Sequence, residues 1–341
     1  MNLHEATQPA GVRKPARALT AATLVFLLSM PVLLPPLYRT IVLSALVLAI
    51  AALGLNVLHR TGVVSFGHAT FFALGAYTGG FIYNLTPGGD ALEIYLVSGI
   101  LAVVAVAALF GFACVRARRT FAAILTLALA QIVHALFVGG AIFRLFGGEG
   151  KGLYVMYNGG LYIPRLRMFG QALPWPLFDT IFGYVIIAAF VGGVAALWRL
   201  DCSPFGWTLR AIGHNEDRAA SIGIPVQFYR WLAFVISGAF VGLSGSLWGQ
   251  LYQQIAPEHL HWMLSAQFVL MNVLGGTQVF WGPALGAMLF VALQEVALRV
   301  TLYRGAVLGT LLVILVLFLP GGLMGRLTPF AGLTPRQKTN R

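Results

Sequence analysis

The sequence predicts an all-α, polytopic transmembrane helical bundle, and three observations carry that prediction. Apolar residues make up 59% of the 341 positions and charged residues 9%, roughly a third of the charge density of a soluble surface. The mean hydropathy is +0.84. The apolar runs are long and unbroken rather than alternating, which excludes a β-barrel of short amphipathic strands. The net charge is +12, and its basic residues fall in short clusters between the apolar runs, as juxtamembrane Lys and Arg do. No basic face with base-reading chemistry is present, so the expected partner is the lipid bilayer, with no nucleic acid.

Stretches of roughly 20 apolar residues mark spans. They number about ten: 20–35, 40–58, 65–83, 94–115, 120–142, 178–198, 231–253, 264–280, 282–298 and 305–320. Runs 65–83 and 264–280 are rich in Gly and small residues, and for both of them crossing and re-entry stay open. Arg13, Lys14 and Arg17 precede the first run. No A-x-A cleavage site follows, so the run reads as a retained anchor rather than a signal peptide. With both termini cytoplasmic, fifteen of the 22 Lys and Arg fall inside and seven outside, which is the positive-inside bias. The expected organisation is a cytoplasmic segment 1–19, a transmembrane domain 20–323 with an external loop 143–177 and a cytoplasmic loop 199–230, and a basic cytoplasmic tail 324–341. Cys114 and Cys202 lie beside basic clusters on the cytoplasmic side and read as packing residues, not a disulfide.

Loop 199–230 carries dense helix punctuation. Ser203-Pro204 reads as N-cap and first helical residue. The helix predicted from Pro204 to Ile212 is closed by Gly213. Asn215 caps a second short helix with Glu216 and Asp217 in its first turn, where the helix dipole favours acids. Gly223 ends it, and Pro225 blocks continuation. Ala219 and Ala220 give that helix a low contact ridge. Two rigid capped helices at the membrane surface suit docking; a solvated connector is the other reading.

Catalytic signatures are missing. Gly150-Lys151 lacks the spaced Gly and the Ser or Thr of a phosphate loop. There is no H-E-x-x-H, C-x-x-C or G-x-S-x-G. His259 and His261 have no third ligand in the sequence near them. Neither an enzyme activity nor a cofactor or metal site is expected.

Ser203-Pro204-Phe205-Gly206, Leu209-Arg210-Ala211-Ile212 and Asn215-Glu216 through Gly223-Ile224 resemble the cytoplasmic coupling loop of the permeases of branched-chain amino acid ABC importers, of the LivM type. Gly62-Val63-Val64-Ser65-Phe66-Gly67-His68-Ala69 and Phe71 to Tyr77 resemble that family's early signature. Leu274-Gly275-Gly276, Gly282-Pro283 and Leu285-Gly286-Ala287 resemble its late one, and Leu319 to Leu323 its closing turn. The family often has Arg where Trp207 and Gly213 stand, which shifts the expected docking strength to Arg210 and Arg218. The resemblance implies alternating access in a bacterial inner membrane. It also implies a second, LivH-like permease subunit, two cytoplasmic ATPases that bind the ATP, and a periplasmic substrate-binding protein. The expected docking residues are Ser203, Gly206, Arg210, Ala211, Asn215, Glu216, Asp217, Arg218, Ala219, Ala220 and Gly223. The solutes expected are branched-chain amino acids, with urea, short amides or aromatic acids as relatives' alternatives.

Ser65, Gly67, His68 and Phe71 open the run 65–83 and are candidate pathway residues. Small residues there leave helix-end amides exposed to a substrate carboxylate; the other reading is helix packing, as for the pairs Gly75/Gly79, Gly238/Gly242 and Gly245/Gly249. These faces, with the polar intramembrane groups, are expected to need a partner. Gln131, His134, Gln267 and Asn272 read as inter-helix hydrogen bonds. Glu295 and Arg299 stand four apart on one helix face. An interface ion pair is one reading, and a coupling-ion site in a secondary transporter is the alternative function.

Overall fold

A computed structural model describes residues 26–85, 90–117, 119–146, 155–156, 160–168, 170–300, 304–318 and 321–327. The segment 1–19 and the tail beyond 327 lie outside the described residues. So does the first part of run 20–35, of which 26–33 is helical.

Every other predicted run holds a helix. In chain order these are α1 (Pro36–His59), α2 (His68–Leu85), α3 (Leu92–Cys114), α4 (Arg119–Val138), α6 (Trp175–Cys202), α9 (Val226–Tyr252), α10 (Trp262–Gly275), α11 (Gly282–Val300) and α12 (Arg304–Phe318). Short helices lie between or after them: α5 (Ala141–Phe146), α7 (Pro204–His214), α8 (Glu216–Ser221) and α13 (Gly322–Leu327). Among the described residues six helices, α1, α3, α4, α6, α9 and α11, are long and apolar enough to cross a membrane. With 14 residues, α10 rises only about 21 Å, short of the roughly 30 Å hydrocarbon core.

The apolar character of α1 runs all round the helix, and its unbroken stretch Leu43–Leu58 is buried. It is the axis of the bundle. Against it lie α6, α9, α10 and α11, while α2 and α3 close over α9. Small residues set the closeness of these crossings. A Cβ on Gly238 would fall 2.6 Å from the Ala107 Cβ, and one on Gly242 2.8 Å from the Val103 side chain. Gly75 meets the Gly242 backbone, and Gly245 the Phe72 backbone. The small-residue pairs therefore serve contacts within this chain, joining α9 to α2 and α3, rather than awaiting a partner.

One part departs from the all-α expectation. The segment between α5 and α6 contributes β1 (Val155–Met156) and β2 (Gly160–Tyr162), which pair antiparallel with each other, and β2 pairs with β3 (Gln254–Ile255) beyond α9. Strands of two or three residues leave no readable alternation. A left-handed Gln253 (φ 55) turns the chain out of α9 into this sheet. Beside the sheet, Arg39 and Arg165 flank Asp179 at 3.6 and 3.2 Å, tying the starts of α1 and α6 to the segment between α5 and α6. Both cysteines are free thiols.

Candidate functional site

The loop after α6 folds as two short helices. The Ser203 hydroxyl accepts from the Gly206 amide at 3.5 Å to cap α7, and the Asn215 carboxamide accepts from the Arg218 amide at 2.9 Å to cap α8. Gly223 takes φ +87 after α8, a left-handed stop that an L side chain would strain. The sequence placed the first helix end at Gly213, but α7 continues through it to His214. The reason is packing. Any side chain at Gly213 would meet the Arg60 carbonyl oxygen at the end of α1, which also explains why no Arg can stand there in this arrangement. Gly206 is pressed the same way, with a would-be Cβ 2.6 Å from the Leu200 carbonyl oxygen.

Several residues expected to dock a partner instead hold the loop to the bundle. The Arg230 guanidinium at the base of α9 is buried, and it grips both carboxylate oxygens of Glu216 at 2.5 and 2.6 Å. Arg210 donates to the Gly206 carbonyl at 3.3 Å and the Asp201 carbonyl at 2.5 Å, with its guanidinium over the Trp207 ring. Asp201 also faces Arg60 at 3.6 Å, and Arg60 donates to the Gln278 carbonyl at 3.2 Å. Ala219 is buried against Ile212 and Val226, so it is no contact ridge. The outward face keeps Ala211, Asn215, Asp217, Arg218, Ala220 and Gly223. Two strongly exposed apolar side chains join it, Trp207 (63%) and Ile222 (74%). Ile222 escaped the sequence reading because an isolated Ile carries no sign of which way it points.

At the start of α2 the structure turns the chemistry inward. Ser65, Gly67, His68 and Phe71 are all buried. The His68 imidazole bonds the Ser65 hydroxyl through Nδ1 at 2.9 Å and the Ser237 hydroxyl of α9 through Nε2 at 2.8 Å. Its ring also meets the edges of Phe71 and Phe234. The helix-end amides are occupied within the chain: that of Phe66 donates to the Thr126 hydroxyl, that of Gly67 to Ser65, and that of Ala69 to the Ser265 hydroxyl at 2.7 Å. The expectation of exposed amides is thus corrected, because side-chain hydroxyls from α4 and α10 reach them first. Asn272 behaves as expected and donates to the Ala52 and Phe268 carbonyls. Glu295 and Arg299 form an exposed pair at 2.9 Å. No group of three His, Cys, Asp or Glu able to hold a metal occurs among the described residues.

Residues 37–317 match the family described as branched-chain amino acid transport system, permease component. The chain belongs to this family. It is 28% identical to the high-affinity branched-chain amino acid transport system permease protein LivM of Escherichia coli K12, over 82% of this chain and 68% of that protein. It is 29% identical to the guanosine ABC transporter permease protein NupQ of Bacillus subtilis 168, over 73% of this chain and 77% of that one. The LivH permease protein of Salmonella typhimurium LT2 is 23% identical, over 82% of this chain and 91% of that protein. No solved structure matches. The chain is therefore a membrane permease subunit of the ABC-transporter kind, in a family of transporter components rather than enzymes.

Proposed function

We propose that this chain is one of two permease subunits of an importer in the bacterial inner membrane. It moves branched-chain amino acids or related small polar solutes by alternating access. Relatives named for branched-chain amino acids rank with others named for glucose and guanosine, so the shared chemistry is a small polar solute and the amino acids are the first choice. The second subunit is LivH-like, two cytoplasmic ATPases bind the ATP, and a periplasmic binding protein delivers the solute to the external side. Ten spans with both termini inside are favoured by the Lys and Arg distribution.

The observation that carries the reading is the capped helix pair α7 and α8. It is tied to the end of α1 through Arg60 and to the base of α9 through Arg230. A push on α8 is thereby delivered to the axis helix and to its main neighbour. Reconstitution tests it. Vesicles holding both permeases and both ATPases should take up leucine only with ATP and loaded binding protein. Uptake driven by an ion gradient into vesicles holding this chain alone would establish the secondary-transporter alternative instead. Cysteine labelling at Asn215 from the external side would overturn the orientation.

A further inference from the structure

His68, Ser237 and Ser265 are satisfied within the chain, but several buried polar atoms among the described residues lack a hydrogen-bond partner, including Asn56 Oδ1, Thr70 Oγ1, Gln250 Oε1 and Asn272 Oδ1. One such atom lies on α4, beside two histidines. Gln131 and His134 stand three apart on α4, bordering the stripe Ala122, Thr126, Ala130 and Phe137 that α4 buries. The Gln131 Nε2 is buried with no hydrogen-bond partner. The His134 ring lies edge-on to His261, the residue before α10, with centroids 5.4 Å apart. His261 spends only Nδ1, as a long 3.4 Å acceptor from the Met263 amide. Two residues earlier His259 stacks on Phe72 of α2 and adjoins Trp248. Gln131 lies about 18 Å along α4 from Arg119, well within the hydrocarbon depth.

An amide left unpaired at that depth costs free energy unless water or a ligand meets it. No Lys, Arg, Asp or Glu belongs to this group, so it offers hydrogen bonds without net charge, beside aromatic rings. From this we infer that Gln131, His134 and His261 form a hydrogen-bonding station on the solute path, which takes the polar head of a neutral or zwitterionic solute while the neighbouring rings take its apolar part. The inference deepens the permease reading above and depends on it.

The test uses the complete importer in vesicles, with leucine, glucose and guanosine as probes and whichever of them the unaltered complex carries as readout. Gln131→Leu and His134→Leu should each lower initial uptake about tenfold or more, the scale of one lost buried hydrogen bond. His134→Asn, which keeps hydrogen bonding, should restore uptake to within about threefold of the unaltered complex. The assembled complex should co-purify in full for all three variants, and Ile132→Ala, on the exposed side of α4, should transport normally. Wild-type uptake by both Leu variants overturns the station. Loss of uptake together with loss of the second permease also overturns it, because the groups would then be subunit contacts. An unaltered complex that carries no polar solute with ATP would instead overturn the permease reading itself.

Discussion

The loop from Ser203 to Tyr229 and the start of α2 from Gly62 to Phe71 are written in similar residues, yet they fold to opposite ends. Both use Ser, Gly and His around a helix start. In the loop, the caps at Ser203 and Asn215 are local and the outward face stays exposed. At α2, Ser65 bonds locally to Gly67 and His68, but the Phe66 amide, the His68 Nε2 and the Ala69 amide find partners far away in sequence, on α4, α9 and α10, and Ser65, His68 and Thr70 are all buried. A helix cap is settled within three residues, whereas the fate of an intramembrane serine is settled by which helix arrives beside it. The loop is thus a surface element anchored from beneath, and the start of α2 is part of the anchorage of the bundle.

That contrast can be broken from the loop side first. Gly213→Val places a branched side chain against a backbone carbonyl that cannot rotate away. The cost should exceed the usual 1–3 kcal/mol of overpacking, and little folded protein should be recovered in a detergent thermal-stability assay. Glu216→Ala leaves the Arg230 guanidinium buried and unpaired, at about 3 kcal/mol. The complex should still insert, but with a lower melting temperature and with ATP hydrolysis uncoupled from uptake. If Glu216 were instead a docking contact, stability would hold and only ATPase association would fall. Asn215→Ala removes a cap and should cost about 1 kcal/mol, read as partial loss of coupling at raised temperature. Ser237→Ala sharpens the other side. It deprives His68 of a buried partner for about 1–3 kcal/mol, and should lower stability without altering solute preference. The smallest effect is expected at Glu295→Gln. An exposed pair four residues apart contributes about 0.5 kcal/mol or less, and uptake should be unchanged with or without a proton gradient.

Much of this was legible in the sequence. Nine of the apolar runs after the first hold helices, because a span is set by the number of consecutive apolar residues. The caps at Ser203 and Asn215 and the stop at Gly223 were readable for the same local reason. What could not be read was direction. Arg210 and Glu216 are polar residues in a polar loop, and only tertiary packing turns them toward Asp201 and Arg230. Ala219 and Ala220 are chemically identical neighbours, one buried and one exposed. The continuation of α7 through Gly213 depends on the end of α1, some 150 residues earlier in the chain, a contact that local helix-stop rules do not contain.

The proposed docking gives α8 two faces, an outward one for an ATPase and an inward one that holds the bundle. Ile222→Asp tests it most directly, because Ile222 is 74% exposed and the change leaves the inward contacts alone. The measurement is ATPase retention when the complex is purified through this chain. The expected result is normal insertion, normal pairing with the second permease, and ATPase association weakened about thirtyfold or more, as for a central interface residue. Full ATPase retention with coupled uptake intact would contradict it and leave the loop a solvated connector.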